Sequence, residues 1–229
     1  MLPSAGLLAL ALVTSRAPKQ ELQFLLHVPK QYTAAQAWPT IVYLHGKSQS
    51  GNDRSLLRRY GLPKRLNKEF RFPFLVIMPQ CPAGQRWTDP EAIMECVQKV
   101  QSKYRIDPAR LYAVGFSMGG RGVFRLADHY PGRFAALVTI AGSSIEKEII
   151  DGGRLKGVPV WAFHGEDDAE VPIEEVRAQV TDYGLRTGPA FLSILTGKGH
   201  DITKVMDRND LYDWLLKWRS NLNSSWPQR

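Results

Sequence analysis

The chain has 229 residues, 44% of them hydrophobic, and its 30 lysines and arginines against 22 aspartates and glutamates give a net charge of +8. That length can bury a full core without staples, and two cysteines, Cys81 and Cys96, are too few for a disulfide scaffold and wrongly patterned for a zinc site. The positive excess is partly local, in Arg54, Arg58, Arg59, Lys64, Arg65, Lys68 and Arg71; without interleaved aromatics or a nucleic-acid motif it reads as a solvated face, with an anion-attracting patch as the alternative, and no nucleic-acid partner is expected.

In chain order, Leu7 to Val13 is a short apolar run followed by Thr14-Ser15-Arg16-Ala17. It has the form of a secretory h-region and cleavage site, although no lysine or arginine precedes it. The run is too short to cross a bilayer, so no integral membrane association is expected. A secreted or periplasmic location is expected over a cytoplasmic one. No linker, repeat or low-complexity tract divides the rest. The expected organisation is a signal-like or disordered start over 1–18, one domain over 19–220 and a tail over 221–229.

Strands are predicted at Glu21 to Val28, Thr40 to Leu44, Phe72 to Met78, Leu111 to Val114, Phe134 to Ile140, Val158 to Phe163 and Ala190 to Leu195. Between them, Asp53 to Tyr60 reads as a short helix stopped by Gly61 and Pro63. Pro90 to Tyr104 is an amphipathic helix, with Pro90 suited to its first turn and Cys96 on its inner stripe. Asp107-Pro108 turns the chain into the next strand, and Ala141 to Gly157 is a connecting segment. Helices then follow Val171-Pro172 and run from Asn209 to Trp218. Cys96 reads as a buried thiol, with a bridge to Cys81 left open. The alternation of strands and helices argues for a parallel α/β sheet covered on both faces.

The chemistry centres on Gly115-Phe116-Ser117-Met118-Gly119-Gly120. An apolar strand precedes it, and Val123, Phe124 and Ala127 follow at helical spacing. In that context G-x-S-x-G is a nucleophile elbow, which holds a serine hydroxyl clear of the sheet on a strained turn. The serine needs a base, and the base needs a buried carboxylate to orient it. Of five histidines, His27 and His45 precede the serine, His129 ends the elbow helix and His164 ends a strand. His200 alone follows the acids, on a glycine-flanked loop after the last strand. The acids Glu166, Asp167, Asp168 and Glu170 crowd one loop; position in that loop favours Asp168 over Asp167, and Asp201 is a weaker alternative. The N–H of Met118 at the helix start and that of Lys47, in the loop after the second strand, are the expected oxyanion donors. His45 is expected to pin that loop. Trp87 is the best placed aromatic to contact substrate, with core packing as its alternative. No metal site and no organic cofactor are expected.

Four segments together resemble the α/β-hydrolase superfamily: Tyr43-Leu44-His45-Gly46, the Gly115–Gly120 turn, His164-Gly165-Glu166-Asp167-Asp168 through Pro172, and Gly199-His200-Asp201. The nearest group is similar to the lidless phospholipase/carboxylesterase and polyhydroxybutyrate-depolymerase-like esterases, a likeness shared by Cys81 to Trp87 and Asp107 to Tyr112. The resemblance implies an α/β-hydrolase fold, mostly parallel, with helices on both faces and no lid domain. It implies the triad Ser117, Asp168 and His200, the acid following as H-G-x-x-D, with oxyanion donors Lys47 and Met118. It further implies a small-molecule or polymer-linked ester as substrate. The subgroup often carries a tryptophan shortly after G-H-D, where this chain has Thr203. The readings that compete with a simple carboxylesterase are a feruloyl or acetyl-xylan esterase, a polyester depolymerase, a peptidase, and a non-catalytic binder on the same scaffold.

Overall fold

The computed structural model describes residues 21–67, 72–142 and 145–221. The signal-like start, Lys68 and Arg71 of the basic stretch, and 222–229 of the tail lie outside the described residues. Seven strands form one sheet: β1 (Phe24–His27), β2 (Trp38–Leu44), β3 (Leu75–Pro79), β4 (Ile106–Phe116), β5 (Ala136–Ile140), β6 (Val160–Gly165) and β7 (Ala190–Leu195). Their spatial order is β1-β3-β2-β4-β5-β6-β7. β1 runs antiparallel to β3, and every other pairing is parallel.

β2 is buried along its whole length, as a central parallel strand must be. Its residues still alternate between faces, because successive side chains of a strand point to opposite sides. Val42 and Leu44 enter one core with Ile93, Val97, Val123 and Phe124. Ile41 and Tyr43 enter the other with Leu62, Leu211 and Leu215. Thus α2 (Pro90–Gln101) and α3 (Met118–His129) cover one face, joined by α4 (Lys147–Gly152) and α5 (Ile173–Arg186). The other face is covered by α1 (Gly61–Leu66) and α6 (Asn209–Leu216).

The chain leaves β2 toward β3 on one side and leaves β4 toward β5 on the other. The sheet therefore has its topological switch point between β2 and β4, and the crevice at their carboxyl ends is where open α/β sheets bind ligands. Leu44 pairs with Gly115 at that edge, which sets the His45 loop beside Ser117.

Three local expectations are corrected. Asp53 to Tyr60 is not one helix: a short 3-10 turn spans Arg54–Arg58, and α1 begins at Gly61, where a stop was expected. Gly61 has φ +70°, and a Cβ there would lie 2.5 Å from the Tyr43 hydroxyl. Pro63 falls in the first turn of α1, where its missing N–H costs nothing. Secondly, β4 begins at Ile106 and includes Asp107-Pro108, with Trp38 of β2 paired to Ile106 before a register shift. Thirdly, the 141–157 connection contains α4, whose Ile149 and Ile150 are buried. Cys81 and Cys96 are both buried and free.

Candidate active site

β4 ends at Phe116 and α3 begins at Met118, so Ser117 alone makes the turn between them. It does so at φ 51°, ψ −116°, a conformation costly for any residue with a Cβ and typical of strain held at functional sites. The surroundings enforce it. The Ser117 N–H donates to the Ile140 carbonyl at 2.9 Å, and the Ser117 carbonyl accepts from the Gly120 N–H at 2.9 Å. A Cβ on Gly115 would lie 2.2 Å from the Gly119 carbonyl oxygen, and one on Gly119 would lie 1.9 Å from that of Leu44. Helix, elbow strand and β2 thus meet backbone to backbone. Gly119→Ala is expected to cost about 3 kcal/mol, because neither β2 nor α3 can yield without breaking the ladder. Urea unfolding reads this directly, and an unchanged midpoint contradicts the packing.

The structure brings His200 and Asp168 to Ser117. His200 Nε2 is 2.8 Å from Ser117 Oγ, and His200 Nδ1 is 2.8 Å from Asp168 Oδ2. The loops carrying them are tied together: the Glu166 N–H donates to the Leu195 carbonyl at 3.1 Å and the Asp167 N–H to that of Lys198 at 2.9 Å. The Phe116 ring, 5.7 Å from the imidazole, flanks it. Asp201 is turned onto its own loop, accepting from the Thr203 hydroxyl at 2.7 Å.

The Asp168 side chain is fully buried and surrounded by donors. Its Oδ1 accepts from the N–H groups of Glu170 at 2.9 Å and Val171 at 3.0 Å. Its Oδ2 faces His164 Nε2 at 3.1 Å as well as His200. Burial pushes this carboxyl up, but the hydrogen bonds from His200, Val171 and Glu170 outweigh it and hold the group below its ordinary range. His164 is a residue that chain-order reasoning set aside. Buried, and also within 2.9 Å of the Val171 carbonyl, it supports the carboxylate from behind. The signal was its place four residues before Asp168 at a strand end.

The loop after β2 is held from below by His45. This ring is fully buried, and its Nε2 accepts from the Cys81 N–H at 3.0 Å. Nδ1 must then carry the proton, which it directs to the Gly46 carbonyl at 2.7 Å. Gln49 and Gln80 extend the support: the Gln49 amide donates to Leu56 and Leu57 carbonyls, and that of Gln80 to Gln49 and Asp53. The loop passes close to the elbow, since a Cβ on Gly46 would lie 2.9 Å from the Phe116 ring. Among the described residues, no turn, loop or cap hydrogen bond engages the N–H of Lys47 or of Met118. Trp87, expected at the substrate, is instead 4% exposed. Its indole N–H donates to the His45 carbonyl at 2.9 Å and its ring packs 4.9 Å from the imidazole. It is a packing residue beneath the loop. The Cys81 thiol, nearby, is pushed up to about 11 by burial.

Burial lowers the pKa of His45 from 6.5 to about 4. Between these values the unfolded chain binds a proton that the folded chain does not, so stability falls as pH falls through that window. The gap corresponds to about 3 kcal/mol, complete near pH 4. His45→Gln is expected to remove this component: plotted against pH from 7 to 4, the unfolding free energy of the variant drops less steeply than that of wild type. Parallel curves contradict the assignment.

A family model described as alpha/beta hydrolase fold matches residues 39–166, more than half of the chain. The chain belongs to the α/β-hydrolase fold family. This α/β-hydrolase-fold protein is similar to feruloyl esterase B of Piromyces equi, at 34% identity over 147 residues, which are 59% of this chain and 24% of the relative. It is 32% identical over 108 residues to NocK, a proposed esterase of Nocardia uniformis subsp. tsuyamanensis, covering 44% of this chain and 28% of that one. It thus spans about a quarter of the length of these curated relatives. A thermostable esterase of known crystal structure superposes with a TM-score of 0.76 at 26% identity, covering 86% of this chain and 59% of that one. Among the described residues, no helix of this α/β-hydrolase-fold protein is long and apolar enough to cross a membrane.

Proposed function

We propose that the chain is a serine carboxylesterase, and the observation that carries this is the relay of two 2.8 Å contacts from Ser117 through His200 to Asp168. His200 Nε2 takes the hydroxyl proton as Ser117 Oγ attacks the ester carbonyl carbon. Asp168 holds the tautomer that leaves Nε2 free to accept, and stabilises the imidazolium that forms. The backbone N–H groups of Lys47 and Met118 bind the developing oxyanion. The tetrahedral intermediate collapses, the ester C–O bond breaks, and His200 returns the proton to the leaving alcohol. Water then attacks the acyl-enzyme with His200 again as base. It supplies the oxygen of the released acid, and Ser117 recovers its proton.

A feruloyl esterase is the second reading, favoured by the 34% identity to feruloyl esterase B. Among the described residues, the connection between β5 and β6 holds one six-residue helix, α4, too short a connection for a lid domain, so a polymer-linked ester is compatible. Turnover of short p-nitrophenyl esters against methyl ferulate separates the two. A preference for short acyl chains supports the first, and a much higher kcat/KM on the hydroxycinnamate supports the second. Hydrolysis of neither contradicts both.

A further inference from the structure

Beside the loop that carries His200 lies a cleft of about 870 Å3. One wall comes from the start of α1, with Tyr60 and Lys64, and the other from the residues around His200, with Lys198, Asp201 and Lys204. The cleft adjoins the catalytic loop through Asp201, which follows His200 directly and lines it. The Tyr60 ring stands edge-on to Phe116 at 6.2 Å, and Phe116 lies 5.7 Å from the imidazole. It therefore lies beside the loop whose His200, in the proposed mechanism, returns a proton to the leaving alcohol.

Its charge is unbalanced. Lys64, Lys198 and Lys204 are exposed, and among the described residues none has an ion-pair or hydrogen-bond partner for its ammonium group. Arg65 holds the wall in place, donating to the Met206 carbonyl at 2.9 Å and to Asn209 Oδ1 at 2.6 Å. Against these stand two carboxylates, Asp201 and Asp207. Asp201 is occupied with the Thr203 hydroxyl at 2.7 Å. The four cations of this lining, Lys64, Arg65, Lys198 and Lys204, exceed its two carboxylates by two charges, and that excess favours an anion brought by the substrate.

We propose that this cleft receives the alcohol part of the ester and selects alcohols that carry a carboxylate, with uronic-acid sugars as the class. A uronate sets one negative charge among the lysines. Its ring hydroxyls meet the polar side chains of Asp201, Thr203 and Asn209 along the same wall. The proposal rests on the carboxylesterase reading, and it gives the basic stretch at Lys64 and Arg65 a role beyond solvation.

The test uses the full chain and two acetyl esters at the same hydroxyl, one of methyl glucoside and one of methyl glucuronoside. At low ionic strength the uronate is expected to have a kcat/KM about tenfold higher, mostly through KM. In about 0.5 M NaCl the ratio should shrink to about twofold, because exposed charges are screened. A Lys64→Glu, Lys198→Glu, Lys204→Glu variant should bring the ratio below one; the salt series on wild type needs no variant and separates the same outcomes. Equal kcat/KM for the two esters, or a ratio that charge reversal does not move, overturns the cleft assignment alone. No turnover of either ester by wild type, nor of p-nitrophenyl esters, overturns the esterase reading and this inference with it.

Discussion

Ser117→Ala is expected to lower kcat/KM on p-nitrophenyl acetate by about 10^5-fold or more. Alanine keeps the Cβ, so it meets the same strain at φ 51° and leaves the Ile140 and Gly120 backbone contacts intact. The thermal midpoint should therefore stay within a few degrees of wild type while the activity disappears. Oxyanion donors and binding alone still accelerate hydrolysis over water, so a small residue of activity is expected. Adding His200→Ala to Ser117→Ala should cost almost nothing further, because groups that act as one unit do not contribute additively. Substantial turnover by a folded Ser117→Ala protein contradicts the mechanism.

The second large effect is expected at Asp168. Its two oxygens accept from His200, Glu170 and Val171, and His164 Nε2 lies 3.1 Å from Oδ2, a setting that only a carboxylate can serve. Asparagine offers one acceptor oxygen and an NH2 group that needs acceptors of its own. If the oxygen keeps the Glu170 and Val171 N–H groups, the NH2 faces His200 Nδ1 and forces the tautomer with its proton on Nε2. That imidazole cannot take a proton from Ser117. Asp168→Asn should thus lower kcat by about 10^4-fold with little change in KM. Leaving a buried donor unmet should also cost about 1–3 kcal/mol of stability. Asp167→Asn, on the neighbouring exposed side chain, is expected to stay within about twofold of wild type, since Asp167 meets the His200 loop through its backbone N–H. The reverse ranking of the two variants would move the acid to Asp167.

The elements that were legible in the sequence are those whose chemistry leaves local marks. A serine turn between strand and helix needs small residues where backbones touch, so Gly115 and Gly119 announce it. The chain order of serine, acid and histidine is the one usual for this fold, with Ser117, Asp168 and His200 following β4, β6 and β7 at the carboxyl ends of the parallel strands. Burial of loops is different, because it depends on neighbours distant in sequence. Trp87 reads as a substrate contact or a packing residue until the His45 carbonyl is seen to accept a hydrogen bond from its indole N–H. His164 likewise gains meaning only when β6 sets it against the Asp168 carboxylate. Gly61 and Pro63 carry the same composition in a helix stop and a helix start, and the Tyr43 hydroxyl above Gly61 decides between them.

A fluorophosphonate probe measures the central claim most directly, because it reports a nucleophilic serine without presupposing an ester. Intact-mass analysis and peptide mapping are expected to show one adduct per chain, on Ser117, with labelling lost in Ser117→Ala and slowed by orders of magnitude in His200→Ala. A folded wild-type protein that takes up no probe, or takes it up at another residue, would contradict the account.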